Sequence, residues 1–478
     1  MTAPLRPALL LLAALLLSGC ETARRLIDGP PRPVAGQVGF VRGFLGGVAA
    51  DEPAAALAAR NMLSAGGTAA DAAAAAAFTL AVTLPSRAGL GGGGACLVYQ
   101  PRLAQPEAVL FLPGPRDPAG LAGADRPAAL PLMARGLFLL TTRLPNARPF
   151  EEVLGPAEQL ARFGAPMSRA LAADIEAVRT PLFRDPQIRA VLTRPDGSPV
   201  PVGERFTNPA LAGSLAALRT AGVADLHQGT LARRFIEGVA LAGGGSISAQ
   251  ELRQALPSLG NAIAIEVRGG DRAAFLPLEG GLAAAAGLRA LAAGQGVEGA
   301  WQRALSVAFA ARLGAGVTPA LLDQPGLPPA AFPPLPASTA LTVFDRNGGA
   351  VACAFTLNNL FGTGRIAPGT GILLAAAPGV GAVQPPLLSA AIVWNPNLRA
   401  FRMAAAGSGQ AAAPMAVAGP IHAHLWRGLT VEDAVDEASP PEARAQIGAC
   451  PEYLPRNPAG CAAAADPRGL GVALGAAE

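Results

Sequence analysis

Hydrophobic positions along the chain change texture twice. Residues 55–63 repeat with helical period and stop at Gly66-Gly67, with Asp51 placed as an N-cap and Pro53 in the first turn. The run 69–82 is almost wholly apolar around the single Asp71, which predicts a buried helix. A glycine run, Gly89-Leu90-Gly91-Gly92-Gly93-Gly94, then leads straight into the apolar strand pattern Ala95-Cys96-Leu97-Val98-Tyr99. A phosphate-binding loop would be followed by a helix, so the pattern disfavours that chemistry. Between residues 131 and 256 the period is mainly helical, over 149–163, 208–221 and 231–241, and Ser248 and Glu251 have capping-box spacing. Strand patterns follow at 262–267 and 273–278. After a proline-dense connector at 325–336, apolar strands at 341–344, 350–357, 390–394 and 400–405 alternate with Gly-rich turns, Asp345-Arg346-Asn347-Gly348 among them.

The first residues carry a separate pattern. Arg6 precedes a short apolar stretch, residues 8–17, and Leu17-Ser18-Gly19-Cys20 closes it. This is the form of a lipoprotein signal at 1–19, with Cys20 lipidated and residues 20–40 as a flexible tether, and an ordinary secretory signal is the alternative. The expectation is a lipid-anchored protein of the cell envelope facing the periplasm, and Glu21 favours the outer membrane over the inner. No later apolar run has the length and freedom from charge of a membrane span.

Composition narrows the chemistry. The 478 residues are 51% hydrophobic and 15% charged, enough for a large core. The net charge of +4 comes from arginines scattered among acids, a field too weak to suggest nucleic acid. The sequence holds no lysine, which excludes Schiff-base chemistry and a Walker-type loop. No cysteine or histidine cluster suggests a metal. Cys450 and Cys461 flank a short Pro-rich loop that an oxidising compartment would close as a disulfide, whereas Cys96 and Cys353, in apolar strands, read as small buried hydrophobes. His422-Ala423-His424 reads as helix surface or packing.

Several stretches, in order, resemble the gamma-glutamyltransferase family of N-terminal-nucleophile hydrolases. They include Gly66-Gly67-Thr68-Ala69-Ala70-Asp71-Ala72-Ala73, the glycine run at 89–94, Pro156-Ala157-Glu158-Gln159-Leu160-Ala161 and Asn208-Pro209-Ala210-Leu211-Ala212. The most specific are Ser338-Thr339-Ala340-Leu341-Thr342-Val343-Phe344-Asp345, Thr356-Leu357-Asn358-Asn359 and Gly369-Thr370-Gly371-Ile372-Leu373-Leu374. The resemblance implies an α+β fold, a four-layer αββα sandwich with a helical region in the first half. It divides the chain into a large-subunit-like region at 41–337 and a small-subunit-like region at 338–478, with self-cleavage between Ala337 and Ser338. No cofactor is implied.

The chemistry of such a family explains the cut. A hydroxyl needs a base within hydrogen-bond reach, and an α-amine of pKa about 8 on the same residue guarantees one. By resemblance Ser338 is the nucleophile, where the family has threonine; Thr356 supports it; Asn358 contacts the substrate; and the backbone of Gln410 and Ala411 replaces the oxyanion glycine pair. Other positions depart. The family's Asn-Asn-Gln-like run and the following aspartate fall on Ala375-Ala376-Ala377 and Val380, its paired serines on Pro386 and Leu387, and its carboxylate-gripping arginine on Gly114, with Arg116 nearby as a substitute. Each lost charged contact costs about 2–4 kcal/mol where its partner stays buried, so glutathione is disfavoured and a less polar acyl group suits the site. The expected partner is a small amide or peptide substrate. The competing expectation is a non-catalytic envelope lipoprotein.

Overall fold

Period-two patterning in the second half of the chain and the strands before it build two facing antiparallel sheets. The computed structural model describes residues 34–332, 337–381, 383–437 and 440–475, so the expected signal and Cys20 lie outside the described residues. In chain order the longer strands are β1 (Gly46–Ala50), β2 (Gly93–Tyr99), β3 (Glu107–Phe111), β4 (Ser258–Asn261), β5 (Ile263–Glu266), β6 (Arg272–Phe275), β7 (Ser338–Asp345), β8 (Ala350–Thr356), β9 (Ser389–Asn395), β10 (Ala400–Ser408), β11 (Arg444–Leu454), β12 (Ala462–Ala465) and β13 (Val472–Leu474). One sheet has the order β13-β1-β7-β8-β2-β3-β4, the other β12-β11-β10-β9-β6-β5. Sequence-distant strands thus sit side by side, and β7 lies between β1 and β8.

Helices cover both outer faces. Against the first sheet lie α1 (Pro53–Ser64) and α2 (Ala69–Thr83), and against the second α3 (Glu279–Ala292), α4 (Val297–Ala310) and α5 (Ala413–Arg427). The expected αββα sandwich is the observed architecture. Alternation divides each strand: Val351, Cys353 and Phe355 face the α1/α2 layer, while Ala350 and Ala352 face the other sheet. The inter-sheet layer is rich in alanine, with Phe344 stacked on Phe401 and Tyr99 packed near Trp394 as its large members. Small side chains there let the two sheets approach while aromatic pairs fill the ends.

Several expectations are met locally. Helices occupy Phe150–Phe163, Pro209–Ala221 and Thr230–Leu241, and Ser248 and Glu251 form a capping box. The α2 helix is buried along its whole length, opened by a Thr68/Asp71 capping box. Among the described residues no helix is long and apolar enough to cross a membrane. The Asp345 turn joins β7 to β8, its carboxylate taking the N–H groups of Asn347, Gly349 and Ala69.

Three expectations are corrected. Cys96 and Cys353 are not free thiols: they are register partners on β2 and β8, with Cα atoms 4.1 Å apart, and they form a disulfide. The pairing is across adjacent strands 257 residues apart, which spacing along the chain does not reveal. Asp51 does not cap α1. Glu52 does, accepting from Ala55 N at 2.9 Å and from the Thr83 hydroxyl at 2.8 Å. Finally, the tether expected over 20–40 is not free at its end, since Gly36 N and Gly39 N donate to Ala65 O and to the Ser64 hydroxyl. The Cys450–Cys461 disulfide is present as expected.

Candidate active site

The first residue of β7 and the last of β8 face each other. Ser338 and Thr356 are register partners, so their side chains emerge on the same face of the sheet. Both are buried, and the Ser338 hydroxyl has no hydrogen-bond partner among the described residues. A buried hydroxyl left unpaired is costly, and a catalytic place is one reason for a fold to keep it.

Thr356 Oγ1 donates to the carbonyl oxygen of Ala337 at 2.6 Å and accepts from Asn358 N at 2.7 Å. The N–H orients the threonine oxygen, leaving its proton aimed at the carbonyl that precedes Ser338. Such a donor polarises the carbonyl towards attack and stabilises an oxyanion formed on it. Asn358 sits at φ 67°, a left-handed conformation asparagine tolerates, and its side-chain amide donates to Ala376 O at 2.9 Å. That bond ties the β8 exit to the segment where the anchor run has become alanine.

Asp51 holds this corner together. Its Oδ2 accepts from Thr339 Oγ1 at 2.8 Å, Ala340 N at 3.0 Å and Ser408 Oγ at 3.0 Å, and its Oδ1 from Gln446 Nε2 at 2.6 Å. One buried carboxylate therefore pins the start of β7 in one sheet to the end of β10 and to β11 in the other. Sequence reasoning missed it, although Asp51-Glu52 before Pro53 carried a signal: only one of two tandem acids can cap the helix, and the other needs partners elsewhere.

The end of β10 leads into Gly409 at φ 117° and Gln410 at φ 57°. Gln410 thus occupies the left-handed region glycine adopts without strain, at a cost of about 1 kcal/mol or more for a side-chain-bearing residue. Residues 410–412 form a short turn that opens α5. N–H groups at such a start precede any intrahelical acceptor, so Gln410 and Ala411 retain the means to stabilise an anion.

Two clefts adjoin this corner. One of about 480 Å³ is lined by Thr356 and Asn358 together with Leu110, Leu112, Leu132, Pro385, Pro386 and Leu388. Gly114 and Pro386, where the family's anchors would stand, both line it. Its one charged lining residue, Glu279, is paired with Arg312. The other cleft, about 450 Å³, is lined by Ala337, Gln410, Gln384, Asn359 and Arg126.

Arg116 does not serve as a clamp. Its guanidinium is fully buried, bonded to Glu251 and to the carbonyls of Ala128, Gly244 and Ser246, so its donors are taken by the fold. Val380 is half-buried and Leu387 buried in the core behind the second sheet.

Similarity to known proteins agrees with this frame. The chain is 26% identical over 249 residues to glutathione hydrolase 3 of Arabidopsis thaliana, covering 49% of this chain but only 38% of that protein's length. It is 25% identical over 435 residues to the glutathione hydrolase proenzyme of Escherichia coli (strain K12), covering 77% of this chain and 74% of the relative. Its fold is similar to that of a cephalosporin acylase from Bacillus halodurans, with TM-score 0.71 and 20% identity over 93% of this chain and 97% of that one. The gamma-glutamyltranspeptidase family model matches residues 55–304, more than half of the chain, and the chain belongs to that family.

Proposed function

We propose that this protein is a self-processing amide hydrolase or acyltransferase whose acyl pocket takes an apolar group in place of γ-glutamyl. The observation that carries the reading is the hydrogen bond from Thr356 to Ala337 O beside an unpaired, buried Ser338 hydroxyl. In the first reaction Ser338 Oγ adds to the Ala337 carbonyl carbon, the C–N bond breaks, and the Oγ proton passes to the nitrogen, which with its own hydrogen becomes the new α-amine. Water then hydrolyses the ester and releases Ala337 as a carboxyl terminus. In turnover that amine takes the Oγ proton, the oxygen attacks the substrate amide, and the proton passes to the leaving amine. Water or an acceptor amine frees the acyl group.

The relative named as a glutathione hydrolase proenzyme supports amide chemistry. The choice between a polar and an apolar acyl group rests on the first cleft, where Gly114 and Pro386 stand at the former anchors among lining leucines and prolines. A carboxylate and ammonium buried there would lack partners, at several kcal/mol by order of magnitude. Export to an envelope compartment is part of the proposal, and two disulfides support folding under oxidising conditions.

The test is turnover of phenylacetyl-p-nitroanilide against γ-glutamyl-p-nitroanilide by wild type and Ser338→Ala, with N-terminal sequencing of any fragments. Preferential release from the phenylacetyl compound, abolished by Ser338→Ala, and a fragment starting at Ser338 are expected. An uncut chain inert to both would instead support the non-catalytic lipoprotein, which the missing anchors favour.

A further inference from the structure

An amide lying across Ser338 has two halves, and the corner offers two clefts with no lining residue in common. The apolar one takes the acyl half under the reading above. The other contains two groups the fold leaves uncommitted. The Arg126 side chain makes one hydrogen bond among the described residues, from Nη1 to Thr363 O at 2.9 Å, and no carboxylate among them is within ion-pair distance. Its neighbour Asp125 is engaged by Arg365 at 2.7 Å instead. Gln410 is 6% exposed, and its Oε1 has no partner among the described residues. Both side chains line the cleft that also holds Ala337, at the bond to be cut.

An uncommitted guanidinium in a recess favours a carboxylate or phosphate, and a nearby carbonyl oxygen favours an N–H donor. An amine that carries a carboxylate supplies both. We propose that this second cleft is the amine-half subsite, in which Arg126 receives a carboxylate of the leaving or accepting amine and Gln410 Oε1 receives its N–H. Resting on the amide-hydrolase reading, the substrate class is an N-acyl amino acid or short N-acyl peptide with an apolar acyl group. Neither residue belongs to the motifs that mark the nucleophile strand, and Arg126 gains meaning only from its place in the fold.

The experiment compares kcat/KM for N-phenylacetylglycine and its uncharged analogue N-phenylacetylglycinamide. Wild type is expected to favour the acid by about 10- to 100-fold, the worth of one charge-assisted contact, and Arg126→Gln to bring the ratio near one. Arg365→Gln removes a nearby cation outside the lining and is expected to leave the ratio intact, which separates contact from general field. Equal turnover of acid and amide by wild type, or a preference that survives Arg126→Gln, overturns the subsite and leaves the hydrolase reading standing. If wild type cleaves neither compound, calorimetric titration of N-phenylacetylglycine decides. Binding weakened about tenfold by Arg126→Gln keeps the subsite and removes only catalysis. No binding, or binding indifferent to the substitution, overturns it.

Discussion

Thr356 Oγ1 lies 2.6 Å from the carbonyl oxygen of Ala337, directly across the β7–β8 pair from Ser338. One hydroxyl thus addresses the peptide bond that would be cut, and the Asn358 N–H behind it fixes the direction of its proton. Thr356→Val keeps the shape and removes the donor. Self-cleavage is expected to slow by about 100-fold, the usual loss for one oxyanion donor, with the fold retained. The time course of fragment appearance after refolding, with circular dichroism as the check on structure, measures it. Cleavage at the wild-type rate would remove Thr356 from the mechanism.

The Cys96–Cys353 disulfide has a consequence for any such assay. Cys96 precedes the expected cut and Cys353 follows it, whereas Cys450 and Cys461 both follow it. A processed chain therefore stays covalently joined across β2 and β8. Electrophoresis without reductant is expected to show one band, and reductant to release a fragment of about 14 kDa beginning at Ser338. Cys353→Ala should show two bands under both conditions and lose about 2–4 kcal/mol of stability. Two bands from wild type without reductant would mean that the bridge does not form.

Much of this architecture was legible in the residues, for identifiable reasons. Long periodic runs such as 149–163 and 208–221 carry both the repeat and the terminal signals of a helix, and the motif around Ser338 places a hydroxyl at the head of a strand. Pairings between distant strands were not legible. Cys96 and Cys353 meet only because β8 lies between β7 and β2, an order set by packing across hundreds of residues. Asp51 read as a cap because capping is a local motif, while its actual partners Thr339, Ser408 and Gln446 come from three other strands. Arg116 is close in sequence to the lost clamp position, yet the burial that makes it rigid also consumes its donors.

Asp51 gives a prediction that joins stability to processing. Four donors converge on its two oxygens, all in the buried corner behind Ser338. Asp51→Asn turns one acceptor into a donor facing donors, so at least one buried group loses its partner. The unfolding free energy is expected to fall by about 2–4 kcal/mol in urea titration. Self-cleavage should slow as well, because Gln446 on β11 no longer shares one pin with residues 339–340 and 408. An unchanged cleavage rate alongside reduced stability would make Asp51 a purely structural brace.

Acid stability tests a buried site outside the candidate catalytic residues. Burial pushes the His227 imidazole down to about 4, against the lesser opposing effect of its contact with Leu252 O at 3.0 Å. The unfolded chain binds this proton near pH 6.5 and the folded chain near pH 4, so the unfolded state gains protons first as pH falls. Stability linked to His227 is full above pH 6.5, declines through the interval and is lost below about pH 4, for a total of about 3 kcal/mol. Glu52, Asp71 and Asp345 are raised by burial and bend the overall curve the other way, gaining stability as pH falls. The measurement is therefore the difference between wild type and His227→Gln, whose amide N–H can still serve Leu252 O. Urea titrations from pH 7.5 to pH 4, a range set to span both of these pKa values, should show the variant's disadvantage shrinking as pH falls. A difference constant with pH would mean that His227 titrates alike in both states.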